Sequence, residues 1–180
     1  MVSSMTATLA MSGPDFDALP YEEGRRWELL DGTLIATPSP TLKHQKIVFA
    51  IQSLLLPYLG DDAEVSWSIE FALCDNTRLR PDVCVLLPAT ARQVDPDRVP
   101  IPLAPDLAIE VISPTERPSE SLEKVRTYLR HGVAEAWQVY PKSRTVEIHW
   151  GTGTATFGAA DTLSTPLLPG FTPTVASLFD

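Results

Sequence analysis

The chain has 180 residues, with 14 Lys+Arg against 23 Asp+Glu for a formal net charge of −9. A chain of this length buries roughly 70% of its unfolded surface, and its 44% hydrophobic and 21% charged content sit near globular averages, which excludes wholesale disorder. No run approaches the ~20 apolar residues of a membrane span, and Met1 to Gly13 lacks the basic region of a signal peptide, so a soluble cytoplasmic protein is expected.

Along the chain, residues 1–13 read as a loose, flexible tail of small and polar residues, and Asp15 to Gly24 as a short acidic helix or turn. Trp27-Glu28-Leu29-Leu30 and Thr33-Leu34-Ile35-Ala36 flank Asp31-Gly32, which predicts a tight β-hairpin. Ser39 as cap, Pro40 at the first helical position and Gly60 past the end bracket a long amphipathic helix. His44, Ile47, Val48, Ile51, Leu54, Leu55 and Tyr58 follow its spacing. Val65, Trp67, Ile69, Phe71 and Leu73 alternate as in one strand with one buried face. Pro81 to Leu87, with its Val-Cys-Val-Leu-Leu run, predicts a strand buried on both faces.

A Pro-rich loop spans 88–105, and Leu107 to Ile112 forms a third, almost wholly apolar strand. Pro118, Ser119 and Gly132 bracket a second helix with Leu122, Val125 and Leu129 on one face. Ala136 to Tyr140 and Thr145 to Trp150 predict strands joined by Pro141-Lys142-Ser143, followed by a terminal hairpin at Gly151 to Gly153 and a Pro-rich tail. The order β-β-α-β-β-β-α-β-β describes an α/β (α+β) protein, a mixed sheet with helices packed on it.

The acidic excess is central: residues 1–60 carry a net −2, residues 61–110 a net −6 and residues 111–180 a net −1. That balance argues against a general nucleic-acid coat protein, which neutralises phosphates with Lys and Arg. Residues 117–144 nevertheless hold six bases (Arg117, Lys124, Arg126, Arg130, Lys142, Arg144) against three acids, which predicts a local basic rim. Cys74 and Cys84 lack CxxC spacing and read as buried thiols. No phosphate-cradling Gly-rich loop, GxSxG elbow or HExxH motif is present, which removes support for nucleotide-binding and Ser/Cys-hydrolase chemistry.

Two carboxylates stand where apolar residues belong. Asp82 opens one buried strand and Glu110 interrupts the next, and an isolated buried carboxylate is costly. A divalent cation shared between them would neutralise both, since carboxylates, carbonyls and water suit a hard ion. The alternative is that Asp82 caps a strand end and Glu110 pairs with an Arg. Lys124 lies about a quarter turn from the apolar stripe of the second helix and reads either as a solvated lysine or as a stem curling toward such a site. His44 falls on the apolar face of the first helix, and Glu28 is a third acid in an amphipathic strand. Asp106 reads as a turn residue.

Several blocks in order carry a resemblance. Gly24-Arg25-Arg26-Trp27-Glu28-Leu29-Leu30-Asp31-Gly32 comes first, then Ser39-Pro40 with His44, then Arg80-Pro81-Asp82-Val83. Ala104-Pro105-Asp106-Leu107 through Glu110-Val111-Ile112-Ser113-Pro114 follows, then Lys124, Tyr128, Gly132-Val133, Ala136-Trp137 and finally Leu168-Pro169-Gly170-Phe171. Together they resemble the Uma-two family, a bacterial family grouped with restriction endonucleases in the PD-(D/E)XK superfamily, over about Asp15 to Phe179.

The resemblance implies a restriction-endonuclease-like core with extra N- and C-terminal hairpins, in a single nuclease-like domain over residues 14–180. It implies hydrolysis of phosphodiester bonds in DNA with Mg²⁺ or Mn²⁺. Asp82 and Glu110 match the family's metal-binding acids, and Lys124 its lysine, displaced from the usual superfamily position that Ile112 occupies here. Glu28 and His44 match further catalytic positions. Cutting two strands favours two sites, so a homodimer is expected by analogy, with the Pro-rich loop or the terminal hairpin supplying contacts. The low basic content favours two other readings: a non-catalytic module that binds or assembles, or a hydrolase of a smaller phosphodiester.

Overall fold

The computed structural model describes residues 10–20, 22, 23, 26–37, 39–114 and 116–180; most of the tail expected over residues 1–13, and Gly24 and Arg25 of the first block, lie outside them. Helix α1 (Gly13–Asp17) precedes the hairpin of β1 (Arg26–Leu30) and β2 (Thr33–Thr37). Asp31 and Gly32 take φ of 47° and 78°, the left-handed pair that a two-residue hairpin turn requires. Helix α2 (Leu42–Leu55) starts later than expected. Its cap is Thr41, whose hydroxyl accepts the His44 amide at 3.2 Å, and Ser39 and Pro40 lie outside it.

The strand expected over Val65 to Leu73 is two strands. Strand β3 (Glu64–Ser66) is followed by a break at Ser68, with φ 53°, and then by β4 (Phe71–Cys74), which belongs to a different sheet. Strands β5 (Thr77–Leu79) and β6 (Val83–Leu86) come next. Inside the Pro-rich segment are a short helix α3 (Pro88–Ala91) and a bridge from Ile101 to Phe71. Strand β7 (Leu107–Val111), helix α4 (Pro118–Arg130), and strands β8 (Glu135–Tyr140), β9 (Thr145–Trp150) and β10 (Gly153–Phe157) complete the order.

The strands form two sheets, β2-β1-β5-β4 and β10-β9-β8-β7-β6-β3. In the larger sheet β7 and β8 are parallel, joined by α4 as a crossover, and the other pairs are antiparallel. One face packs Val83, Val85, Ile109 and Val139 against Ile47, Val48, Ile51 and Leu55 of α2 and against Leu163, Leu168 and Phe171 of the C-terminal segment. On the other face Ala108 and Ala136 meet Val125 and Tyr128 of α4 and Leu30 and Leu79 of the smaller sheet. Each fully buried Leu, Ile or Val is worth about 1.5–3 kcal/mol, so the four α2 residues alone fix that helix on the sheet. Cys84 is buried and Cys74 half-buried, both as free thiols. Asp106, expected as a turn residue, instead accepts the Leu87 amide, 19 residues earlier, at 2.7 Å and ties the start of β7 to the end of β6. Among the described residues no helix is long and apolar enough to cross a membrane.

Candidate active site

Where α2 begins, β1, β6, β7 and α4 converge on a cleft of about 410 Å³. Asp82 immediately precedes β6, and the register Val83↔Ile109 carried back one residue places it across from Glu110 on the same sheet face. Asp82 Oδ2 accepts the Val111 amide at 2.8 Å and lies 3.1 Å from His44 Nε2. His44 sits in the first turn of α2, so the helix that closes the core also delivers the imidazole.

Glu110 is buried in the middle of β7. Its Oε1 accepts the Tyr128 hydroxyl at 2.8 Å, and its Oε2 is 3.9 Å from Lys124 Nζ. Glu28, on β1, is only 2% exposed. Its Oε2 is 2.5 Å from Lys124 Nζ and 3.1 Å from the Thr37 hydroxyl, and its Oε1 accepts the Arg80 amide at 2.7 Å. Lys124 and Tyr128 project from α4 one turn apart, so a single helical face supplies both the ammonium and the phenol.

All five residues singled out in the sequence therefore meet in one cleft. Glu110 pairs with Lys124 and Tyr128 and with no arginine. Of the expected apolar stripe of α4, Val125 is buried and Leu129 packs against the core, but Leu122 is 37% exposed, and the buried face extends instead to Lys124, 5% exposed, and to Ser121. The helix turns a polar edge inward because acids lie beneath it. Ile112 lines the cleft without a charge.

The charges respond to this crowding. Burial raises the Glu110 carboxyl well above the ordinary carboxylate range, with Lys124 opposing the shift and Asp82 and Glu28 adding to it. Burial also raises Glu116. For Lys124 burial is the largest influence and pulls downward, but Glu110 and Glu28 together outweigh it, so the ammonium is held charged. The hydrogen bond to Asp82 raises His44 above its usual value, against the opposing effect of burial. Burial and the charge of Glu110 push the Tyr128 phenol far up, which keeps it a donor.

Four carboxylates, Glu28, Asp82, Glu110 and Glu116, crowd about the Lys124 ammonium and the His44 imidazole, and Arg26, Lys43, Arg80 and Lys142 line the same cleft. Asp82 and Glu110, at facing positions of neighbouring strands, fit a hard divalent cation by the chemistry of their donor atoms. Among the described residues no three His, Cys, Asp or Glu side chains already converge as a metal cage, so the fit rests on the Asp82/Glu110 pair.

Several cleft residues were not picked out by sequence reasoning. Glu116 lies in the loop after Ser113-Pro114, outside any periodic pattern. Arg26, Lys43 and Arg80 line the cleft as well, together with Lys142, which the sequence had placed in a basic rim. Of the six bases expected to form a rim over residues 117–144, only Lys124 and Lys142 line the cleft. Arg117, Arg126, Arg130 and Arg144 are paired with Glu120, Glu123, Asp31 and Asp180 instead. A signal for Arg26 was present, since it stands two residues before Glu28 and hence on the same strand face.

Comparison with known proteins follows this geometry. A sequence profile of the family described as "Uma2: Putative restriction endonuclease" matches residues 14–176. Among solved structures, the chain is similar to a "putative nuclease belonging to DUF820" from Anabaena variabilis ATCC 29413. The TM-score is 0.76, over 94% of this chain and 97% of that one, at 23% identity. At that identity the likeness is one of fold, and it spans both sheets and their helices. No curated protein matches the sequence.

Proposed function

The chain belongs to the Uma2 family, and from that premise and the charge pattern of the cleft we propose that it is a divalent-metal-dependent endonuclease hydrolysing phosphodiester bonds in DNA. The observation that carries the reading is the placement of Asp82 opposite Glu110 across neighbouring strands, in a cleft that also holds Glu28 and Lys124. In this proposal Asp82 and Glu110 hold Mg²⁺ or Mn²⁺. Such an ion, when bound, polarises a phosphoryl oxygen and lowers the pKa of a bound water.

The chain's own groups perform the remaining tasks. Lys124, kept charged by Glu28 and Glu110, offsets negative charge that develops on the phosphoryl group. Glu28, fixed by the Arg80 amide and the Thr37 hydroxyl, positions that ammonium. His44, 3.1 Å from Asp82 and exposed enough to meet solvent, contacts a phosphate oxygen and assists proton transfer. Arg26, Lys43 and Lys142 neutralise backbone phosphates at the entrance, while the Arg80 guanidinium is held by Glu70. A smaller phosphodiester is the second reading, favoured by the net charge of −9 and by a cleft volume typical of small-ligand pockets.

The test is to incubate purified protein with labelled single- and double-stranded DNA, RNA and a chromogenic phosphodiester, in Mg²⁺, Mn²⁺ or EDTA. Metal-dependent DNA cleavage, reduced about 1,000-fold or more in Asp82→Asn and Glu110→Gln, is expected. Variants that cut as well as the parent would overturn the site. Cleavage of the small ester alone would select the second reading.

A further inference from the structure

The outward face of α2 carries a narrow apolar stripe among exposed Lys43, Gln45, Lys46 and Ser53. Leu42 and Phe49 of α2, and Leu56 in the 3₁₀ turn that follows it, are 75%, 71% and 56% exposed and recur every seven residues, which lines them up along one side of the helix. The opposite face carries its own apolar set, Ile47, Val48, Ile51 and Leu55, against the sheet. In a chain of net charge −9 this helix contains no acid at all.

We propose that this face is a homodimer interface, in which α2 packs antiparallel against α2 of a second copy about a two-fold axis at Phe49. The stripe is its own complement. Equal spacings on either side of Phe49 bring Leu42 onto the partner's Leu56 and Phe49 onto the partner's Phe49, as an isologous contact requires. The flanking rows match in the same register. Lys46 falls beside the partner's Ser53 and Gln45 beside the partner's Gln52, so hydrogen-bonding groups meet and like charges do not.

The area is of the right order. With side chains of about 200 Å² each, the stripe exposes about 400 Å² per copy, at the level of the largest patches on monomeric proteins. A standard interface buries about 800 Å² per partner. The flanking Gln45, Lys46, Gln52 and Ser53 supply part of the difference. Trp67, 59% exposed just after the edge strand β3 that lies against α2, supplies more. No acid of the cleft belongs to this face, so the proposal stands or falls independently of the nuclease reading.

Sedimentation velocity on the full chain, from micromolar to submillimolar concentration, tests it. The parent is expected at the two-chain mass. Phe49→Glu, with an unchanged circular dichroism spectrum, should weaken self-association about 100-fold or more, because both copies lose the central contact. Leu42→Glu and Leu56→Lys should each weaken it alone, and the double variant should regain it by placing opposite charges across the axis. Thr156→Glu, on β10, should change nothing. A parent at single-chain mass throughout, or a Phe49→Glu variant still at two-chain mass, overturns the interface. Failure of the double variant to recover overturns the antiparallel register.

Discussion

Replacing Lys124 with Met keeps a long apolar stem and deletes the charge held 2.5 Å from Glu28 and 3.9 Å from Glu110. Both carboxylates are buried, at 2% and 7% exposure, so neither can turn to water for compensation. Removing one partner of a buried ion pair costs about 3–5 kcal/mol. Protonation limits that cost: burial already raises Glu110, and without the opposing ammonium its value rises further. A carboxyl raised in the folded state binds more protons folded than unfolded. The variant is therefore most stable in acid and loses stability as pH rises through the raised value. At neutral to slightly basic pH the loss should be about 3 kcal/mol, a fall of about 1.5 M in the urea midpoint for a slope of about 2 kcal/mol/M. Near pH 5 it should be smaller, because a protonated Glu110 no longer needs the ammonium. Adding Glu28→Gln to the variant should recover much of the loss. Urea titrations followed by tryptophan fluorescence at the two pH values measure all of this. A midpoint shift below about 0.5 M at the higher pH, or an equal shift at both, would refute the claim that Lys124 neutralises a buried acid cluster.

Other expectations are simpler. Tyr128→Phe strands Glu110 Oε1, which now accepts a hydroxyl at 2.8 Å, and should cost about 1–3 kcal/mol by urea denaturation; an unchanged midpoint would mean that the bond contributes nothing. His149 lies 3.0 Å from Gln138 Oε1 and 3.1 Å from Thr154 Oγ1, and burial lowers its imidazole below the ordinary value, with Glu147 opposing. Its contribution to stability is present above about pH 6.5 and is lost as pH falls toward the lowered value, and His149→Gln should flatten the parent's slope in that window. Gly32→Ala should cost about 1–2 kcal/mol in thermal or urea unfolding, because φ is 78° and the added Cβ would stand 2.5 Å from the Ala10 Cβ. A neutral outcome there would mean that the hairpin turn tolerates another geometry.

Local punctuation was readable in the sequence where the chain obeys local rules. Asp31-Gly32 marked its turn, Pro118 and Gly132 bracketed α4, and the apolar runs of β6 and β7 announced strands buried on both faces. The alternation from Val65 to Leu73 hid a change of sheet. Period two continues through a backbone that turns at Ser68, and nothing in side-chain pattern records which neighbours a strand will have. The face of α4 was legible only in part, at Val125 and Leu129 but not Leu122, for a different reason. Pattern reading assumes that buried means apolar, while this helix buries Ser121 and Lys124 over a bed of carboxylates. Asp82 and Glu110 stood out because they broke an apolar run, whereas Glu116 and Lys43 broke none and were passed over.

The cleft has no local precursor. Glu28, His44, Asp82, Glu110 and Lys124 come from five different segments, spread over more than half of the chain, and α4 must cross over before the β7–β8 parallel pair can close. Contacts of such long sequence separation form slowly, because each must first overcome the entropy of closing a large loop. A growing polypeptide therefore emerges from synthesis with four of these side chains and no ammonium to hold the acids together. Assembly of the charged cluster and completion of the fold are a single event, so partly folded chains lack the full set of groups that the proposed reaction needs.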